Sequence, residues 1–166
     1  MAIYSIDYIK PSRMDHGLAH PIRKWPEKAS QTYKKGAPLV NSGGYAKEAS
    51  NAAHANILGI AVKDGGNTSS NGTSSAQFVP AIPTIEFVGV IGSHAASSAA
   101  KSLAASHRGL QWALYKSIST SVWYLDYAYK SSTASHAVVV TDFKEPVSTA
   151  NGEVYFKFTE GVAITA

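Results

Sequence analysis

The chain has 166 residues, no cysteine, 16% charged residues and a formal net charge of +4. That length suits one domain with a sizeable core. The lack of cysteine excludes a disulfide framework, a thiolate zinc site and a cysteine nucleophile. No run approaches the roughly 18 apolar residues of a membrane span, and a start with Asp7 and Lys10 does not read as a signal peptide, so no membrane role is expected.

Residues 1–30 hold three of the seven prolines (Pro11, Pro21, Pro26) and show no sustained period. Ile3 to Ile9 can form a short strand with Tyr4, Ile6 and Tyr8 on one face. The stretch that follows reads as extended chain, so residues 1–30 are expected to form an N-terminal arm that docks on its own domain or on a partner. Charge supports this. Residues 1–36 carry seven Lys/Arg against three acids, while the remainder has eight of each sign, so the whole excess lies at the front. The bases are spread singly, which favours an acidic protein surface over nucleic acid as the arm's target. The expected partner-binding residues are Tyr4, Ile6, Tyr8, Arg13, Ile22, Arg23, Lys24 and Trp25.

From Gln31 onward, short apolar runs alternate with turn residues. Ala37 to Val40 leads into a turn at Asn41-Ser42-Gly43-Gly44, and Ile57 to Val62 is a buried strand in which Gly59 permits a close backbone approach. Then comes VKDGGNTSSNGTSSAQF, residues 62–78. It lacks the GxxxxGK[ST] pattern of a phosphate loop and is followed by Phe78-Val79-Pro80, a poor helix start. Asp64–Gln77 is therefore expected to be a mobile, dispensable tip. Phe78 to Ile82 and Ile85 to Ile91 are strand-like, with Pro80 and Pro83 at an edge or bend.

Ser93 to Ser106 is the one helical candidate, with Ser93 as N-cap and Gly109 as stop. Strands resume at Leu110 to Tyr115, and in SVWYLDYAY the residues Trp123, Leu125 and Tyr127 share one face, with Tyr124 and Asp126 on the other. His136 to Phe143 is Val-rich. Asn151-Gly152 reads as a hairpin turn before a strand in which Val154, Phe156 and Phe158 alternate with polar neighbours. The rhythm predicts a mainly β chain: an antiparallel β-barrel or sandwich-like domain at 31–166, with one short helix and an extended arm at 1–30.

A search for chemistry finds little. His16 and His20 have helical spacing but flank Gly17 and precede Pro21, while His54, His94, His107 and His136 stand alone in sequence. There is no GxSxG elbow. Glu86 and Asp126 fall in strands and read as edge residues or paired charges rather than general acids. Trp112, Tyr115, Trp123, Tyr124, Tyr127 and Tyr129 suit core packing or an oligomer interface, and alternatively a sugar-binding face. A hydrolase assembled from scattered Ser, His and Asp is a further alternative. No metal, cofactor or catalytic residue is expected.

The order of YKKGAPLV, GGYAKEA, ILGIAVKDGGN, FVPAIPTIEFVGVI, RGLQWAL, VWYLD and AVVVTDFKEPVSTANGEVYFKF resembles that of the capsid decoration (cement) proteins of tailed bacteriophages. The resemblance spans about residues 31–160 and does not cover the arm. It implies a β-barrel-like domain on the outer capsid surface of the virion. The implied partners are the major capsid protein and further copies of the chain, with a trimer as the expected oligomer. It implies no catalysis and no cofactor; the alternative within the same setting is a carbohydrate-binding or adhesion module of the particle.

Overall fold

The computed structural model describes residues 8–14, 17, 19–50, 52–53, 56–94, 101–118, 120–131 and 136–159. The first half contributes β1 (Lys10–Met14), β2 (Arg23–Pro26), β3 (Gln31–Tyr33), β4 (Pro38–Ser42), β5 (Tyr45–Glu48), β6 (Ala52–Ala53), β7 (Ile57–Ala61), β8 (Gly65–Asn67) and β9 (Ser75–Pro80). The second half contributes β10 (Ile85–Gly92), β11 (Gln111–Lys116), β12 (Trp123–Ser131), β13 (Val138–Phe143) and β14 (Glu153–Phe158). Mainly β structure is what the alternation and turn residues require.

One sheet runs β2-β9-β7-β4-β5. Its centre is β7, an apolar run buried along its whole length, as expected for a strand with neighbours on both edges. The β4–β5 turn is Gly43-Gly44, with φ of +63° and +86°, the conformation of a two-residue primed hairpin. Gly59 makes the close approach expected of it: a Cβ there would lie 2.1 Å from the Val79 carbonyl oxygen on β9. Gly59→Ala should therefore force the β7–β9 pair apart, costing about 1–3 kcal/mol, the usual range for overpacking, as read by urea unfolding. A stability equal to that of the unmodified chain would contradict this packing.

The second sheet closes on itself. β10 pairs in parallel with β12, followed in antiparallel order by β11, β13 and β14, and β14 returns to β10. This five-strand ring is a closed barrel, which leaves none of its five strands unpaired on both edges. β12 meets β10 only at Ile91 and Gly92. The same edge from Ile85 to Val88 is covered by β1. The two sheets share one continuous core, from Leu39, Ile57, Ile60 and Phe78 to Phe87, Leu114, Leu125, Phe156 and Phe158. Trp123, Leu125, Phe156 and Phe158 are all buried, as their strand phase predicts.

Four expectations change. The described residues of the arm are not a separate extension: β1 belongs to the barrel and β2 to the other sheet, because their backbone groups find strand edges in the same chain. Residues 3–7 of the predicted Ile3–Ile9 strand lie outside the described residues. The helical candidate has its centre, 95–100, outside them as well, and its described flank is not α-helical. There Leu103 exchanges backbone hydrogen bonds with Ser148 and Thr149, and only Ala105–His107 forms a 3-10 turn. Its serines are weak helix formers and tertiary pairing overrides them.

The Asp64–Gln77 segment is also built rather than loose. Gly65–Asn67 pairs with β3, and buried Asn67 donates to the carbonyls of Ser70 and Glu27 and accepts from Thr73. Finally, Asn151-Gly152 is only the end of a longer β13–β14 connection.

Candidate partner-binding surface

The fold separates the eight residues expected to meet a partner. Tyr4 and Ile6 lie outside the described residues. Tyr8 packs under Lys35, whose Nζ is 4.5 Å from the ring centroid. The Arg13 side chain is 70% exposed, yet its guanidinium forks onto buried Glu86, with Nε 2.7 Å from Oε1 and Nη2 donating a hydrogen bond to Oε2 at 3.2 Å. That hydrogen bond, with the charge of Glu86, raises the Arg13 pKa. Trp25 donates from Nε1 to the Gly44 carbonyl at 2.9 Å, pinning β2 to the β4–β5 turn. These three side chains serve the fold. Ile22, at 59% exposure just before β2, and Arg23 and Lys24 on it remain exposed.

The topology adds neighbours that linear sequence does not place there. A parallel bridge between Glu27 and Ala46 joins the end of β2 to β5, the two outer strands of their sheet. The bridge brings half-buried Lys28, whose Nζ donates to Ser42 at 2.8 Å, beside the strand that carries exposed Lys47, while Arg23 and Lys24 lie further back along β2, opposite Phe78 and Gln77. Among the described residues none of these four cations has an ion pair. Lys34 differs, because it is spent on Asp64 at 2.8 Å. The hydrogen bond from Lys34, and then that from the Lys35 amide, hold the Asp64 carboxyl below its ordinary value.

Glu27 does not neutralise the seam from outside. It is 2% exposed and points inward, accepting hydrogen bonds from the Tyr33 and Ser74 hydroxyls. Burial, and then the bond to Glu27, push the Tyr33 hydroxyl pKa upward. The Glu27 backbone carbonyl accepts from the Gly72 amide, so one buried acid ties β2 and β3 to the loop before β9.

Beside β5 lies a groove of about 630 Å³ between Ser30–Thr32 and Lys47–Ser50, with Thr68 and Lys116 completing the wall. Its carboxylate, Glu48, binds Lys116 at 2.8 Å and accepts from Trp123 Nε1 at 3.0 Å.

The remaining titratable groups are mostly committed to the fold. Of the two expected readings, edge residue or paired charge, Glu86 takes the second through Arg13 and also accepts from Thr141 at 2.9 Å, while Asp126 is hydrogen-bonded to His94 Nδ1 at 2.5 Å. His94 is not alone, as its sequence context suggested. Its ring is stacked between Tyr115 and Tyr129, with centroids 4.7 and 4.8 Å away. A pairing across 32 residues leaves no local signal. His107 is buried edge-on to Trp112 and Tyr127, and burial lowers its pKa. Burial likewise lowers that of Lys130, which lies over the Tyr127 ring at 3.4 Å. His16 and His54 lie outside the described residues. Among the described residues no cluster of three metal-ligating side chains occurs.

Trp112 and Trp123 are buried in the core, and Tyr124 is nearly so, which removes the two tryptophans from any sugar-binding face. No family model matches the chain, and no curated protein or solved structure matches it either.

Proposed function

We propose that this chain is a structural virion protein that binds the outer surface of an assembled phage capsid and stabilises it. In this reading the β2–β5 seam faces an acidic surface of the major capsid protein, and copies of the chain associate as a symmetric oligomer, a trimer. One observation carries the choice of surface: Arg23, Lys24, Lys28 and Lys47 have no ion-pairing partner among the described residues, and Arg23 and Lys24 directly follow exposed Ile22. The order of strand motifs described above supports the class of function. A protein that binds only the closed shell stabilises it by its binding free energy, repeated at every occupied position.

The test is co-sedimentation of the full chain with purified heads. Unmodified protein should bind in stoichiometric amounts and detach as salt rises, because exposed charge pairs are screened over roughly 8–10 Å near physiological ionic strength. The double substitution Arg23→Glu, Lys24→Glu should weaken attachment by about tenfold or more, since like charges would then face each other across the interface. Attachment of the charge-reversed chain at unmodified strength, or no attachment of the parent, would reject the seam.

A further inference from the structure

The side-chain amide of Gln31 occupies the place of a backbone peptide group. Its Nε2 donates to the Ala46 carbonyl at 2.7 Å, and its Oε1 accepts from the Glu48 amide at 3.0 Å. These groups flank Lys47; Nε2 also donates to the Lys28 carbonyl at 3.2 Å, and the Ala46 carbonyl is shared with the Lys28 amide, so the Glu48 amide is the group that takes its acceptor from the side chain in place of a parallel strand. The main chain itself reaches this edge of β5 just before, through the Glu27–Ala46 bridge and the Lys28 amide on the Ala46 carbonyl at 2.9 Å. It then turns away at Ser30, where φ is +56°. Gln31 stands in for the strand that would have continued, and the groove runs on beside Lys47–Ser50.

We infer that this groove is a strand-docking site, in which Gln31 is the displaceable stand-in for an extended, acidic segment of a partner chain. The inference rests on the seam as the partner-facing surface and specifies what the partner presents there. The hydrogen-bonding pattern selects an extended backbone. The charge selects acidic side chains: Lys47 is exposed and without an ion pair among the described residues, and the groove's own carboxylate, Glu48, is already held by Lys116 and Trp123. The hydroxyls of Ser30, Thr32, Ser50 and Thr68 suit polar side chains better than an apolar anchor. Displacing Gln31 exchanges one amide for another at little net cost, so affinity comes from the further peptide groups and from charge.

The probe is a short synthetic peptide of alternating threonine and glutamate, added to the full chain while backbone amide resonances are followed; a threonine–lysine peptide is the control. The acidic peptide should shift the Glu48 and Ser50 amides, and the basic one should not. Lys47→Glu, at an exposed position, should weaken the response by about tenfold. Gln31→Leu, which removes the competing amide, should strengthen it severalfold. Equal response to both peptides, no response at Glu48 and Ser50, or indifference to Lys47→Glu would each overturn the docking site. If Arg23→Glu, Lys24→Glu still abolishes head attachment when the peptide fails, the groove alone is wrong; if both are silent, the seam falls with it.

Discussion

A chain lacking residues 1–30 is expected to lose its cooperative fold, not to yield a free barrel. The segment reads as an arm, and an arm could be removed without harm. In the structure its residues Lys10, Pro11 and Arg13 lie opposite Val88, Phe87 and Glu86 on β10, so its removal strips one edge of a barrel strand. It also removes Arg13 from Glu86, leaving a buried carboxylate without its cation. A desolvated carboxylate stripped of its cation destabilises the fold. Loss of buried Ile9, of β2 from the edge of β9, and of Glu27 from the hydroxyls of Tyr33 and Ser74 adds to that. The total stability of a domain is about 5–15 kcal/mol, so the truncated chain should show no sharp urea transition and little near-ultraviolet circular dichroism. A truncated chain unfolding as sharply as the full one would mean that β1 and β2 are dispensable decorations of the sheets.

Phe156→Ala should be the most damaging of the single core substitutions considered. Phe156 lies on β14, the strand that closes the barrel by pairing with both β10 and β13, opposite Phe87 on one side and Val140 on the other. It is fully buried, stacked on Phe87 at 5.8 Å and edge-on to Phe158 at 6.0 Å. Truncating such a ring costs about 3–5 kcal/mol, from lost transfer energy and the cavity left behind. The exposed Lys63→Ala, as a control, should stay within about 0.5 kcal/mol of the parent. A Phe156→Ala chain as stable as that control would mean that the phase of β14 is misassigned.

Both expectations turn on the difference between what a strand is and what it pairs with. The sequence by itself determined that the chain is mainly β, where several of the strands lie and which side chains they bury. Alternation at Val154, Phe156 and Phe158 selects a buried face, an all-apolar run at Ile57–Ala61 selects a central strand, and Gly43-Gly44 selects a hairpin turn. Each signal is local, because side-chain period and turn conformation are set by neighbouring residues.

Partners were decided only by the tertiary structure. Nothing near Lys10–Met14 points to β10, some 75 residues away, and nothing in the Gly- and Ser-rich loop announces that Asn67 and Glu27 will hold it. The same holds for the candidate surface. Charge counting located the excess of cations, but Arg13 and Lys34 find acids in the fold whereas Arg23 and Lys24 find none among the described residues, and the bridge between Glu27 and Ala46 joins the end of their strand to the one that carries Lys47. The physical reason is that apolar period records only whether a residue is turned inward. Which backbone edge or opposite charge it meets depends on register between segments distant in sequence, and that is settled when the sheets close and every buried polar group must find a partner.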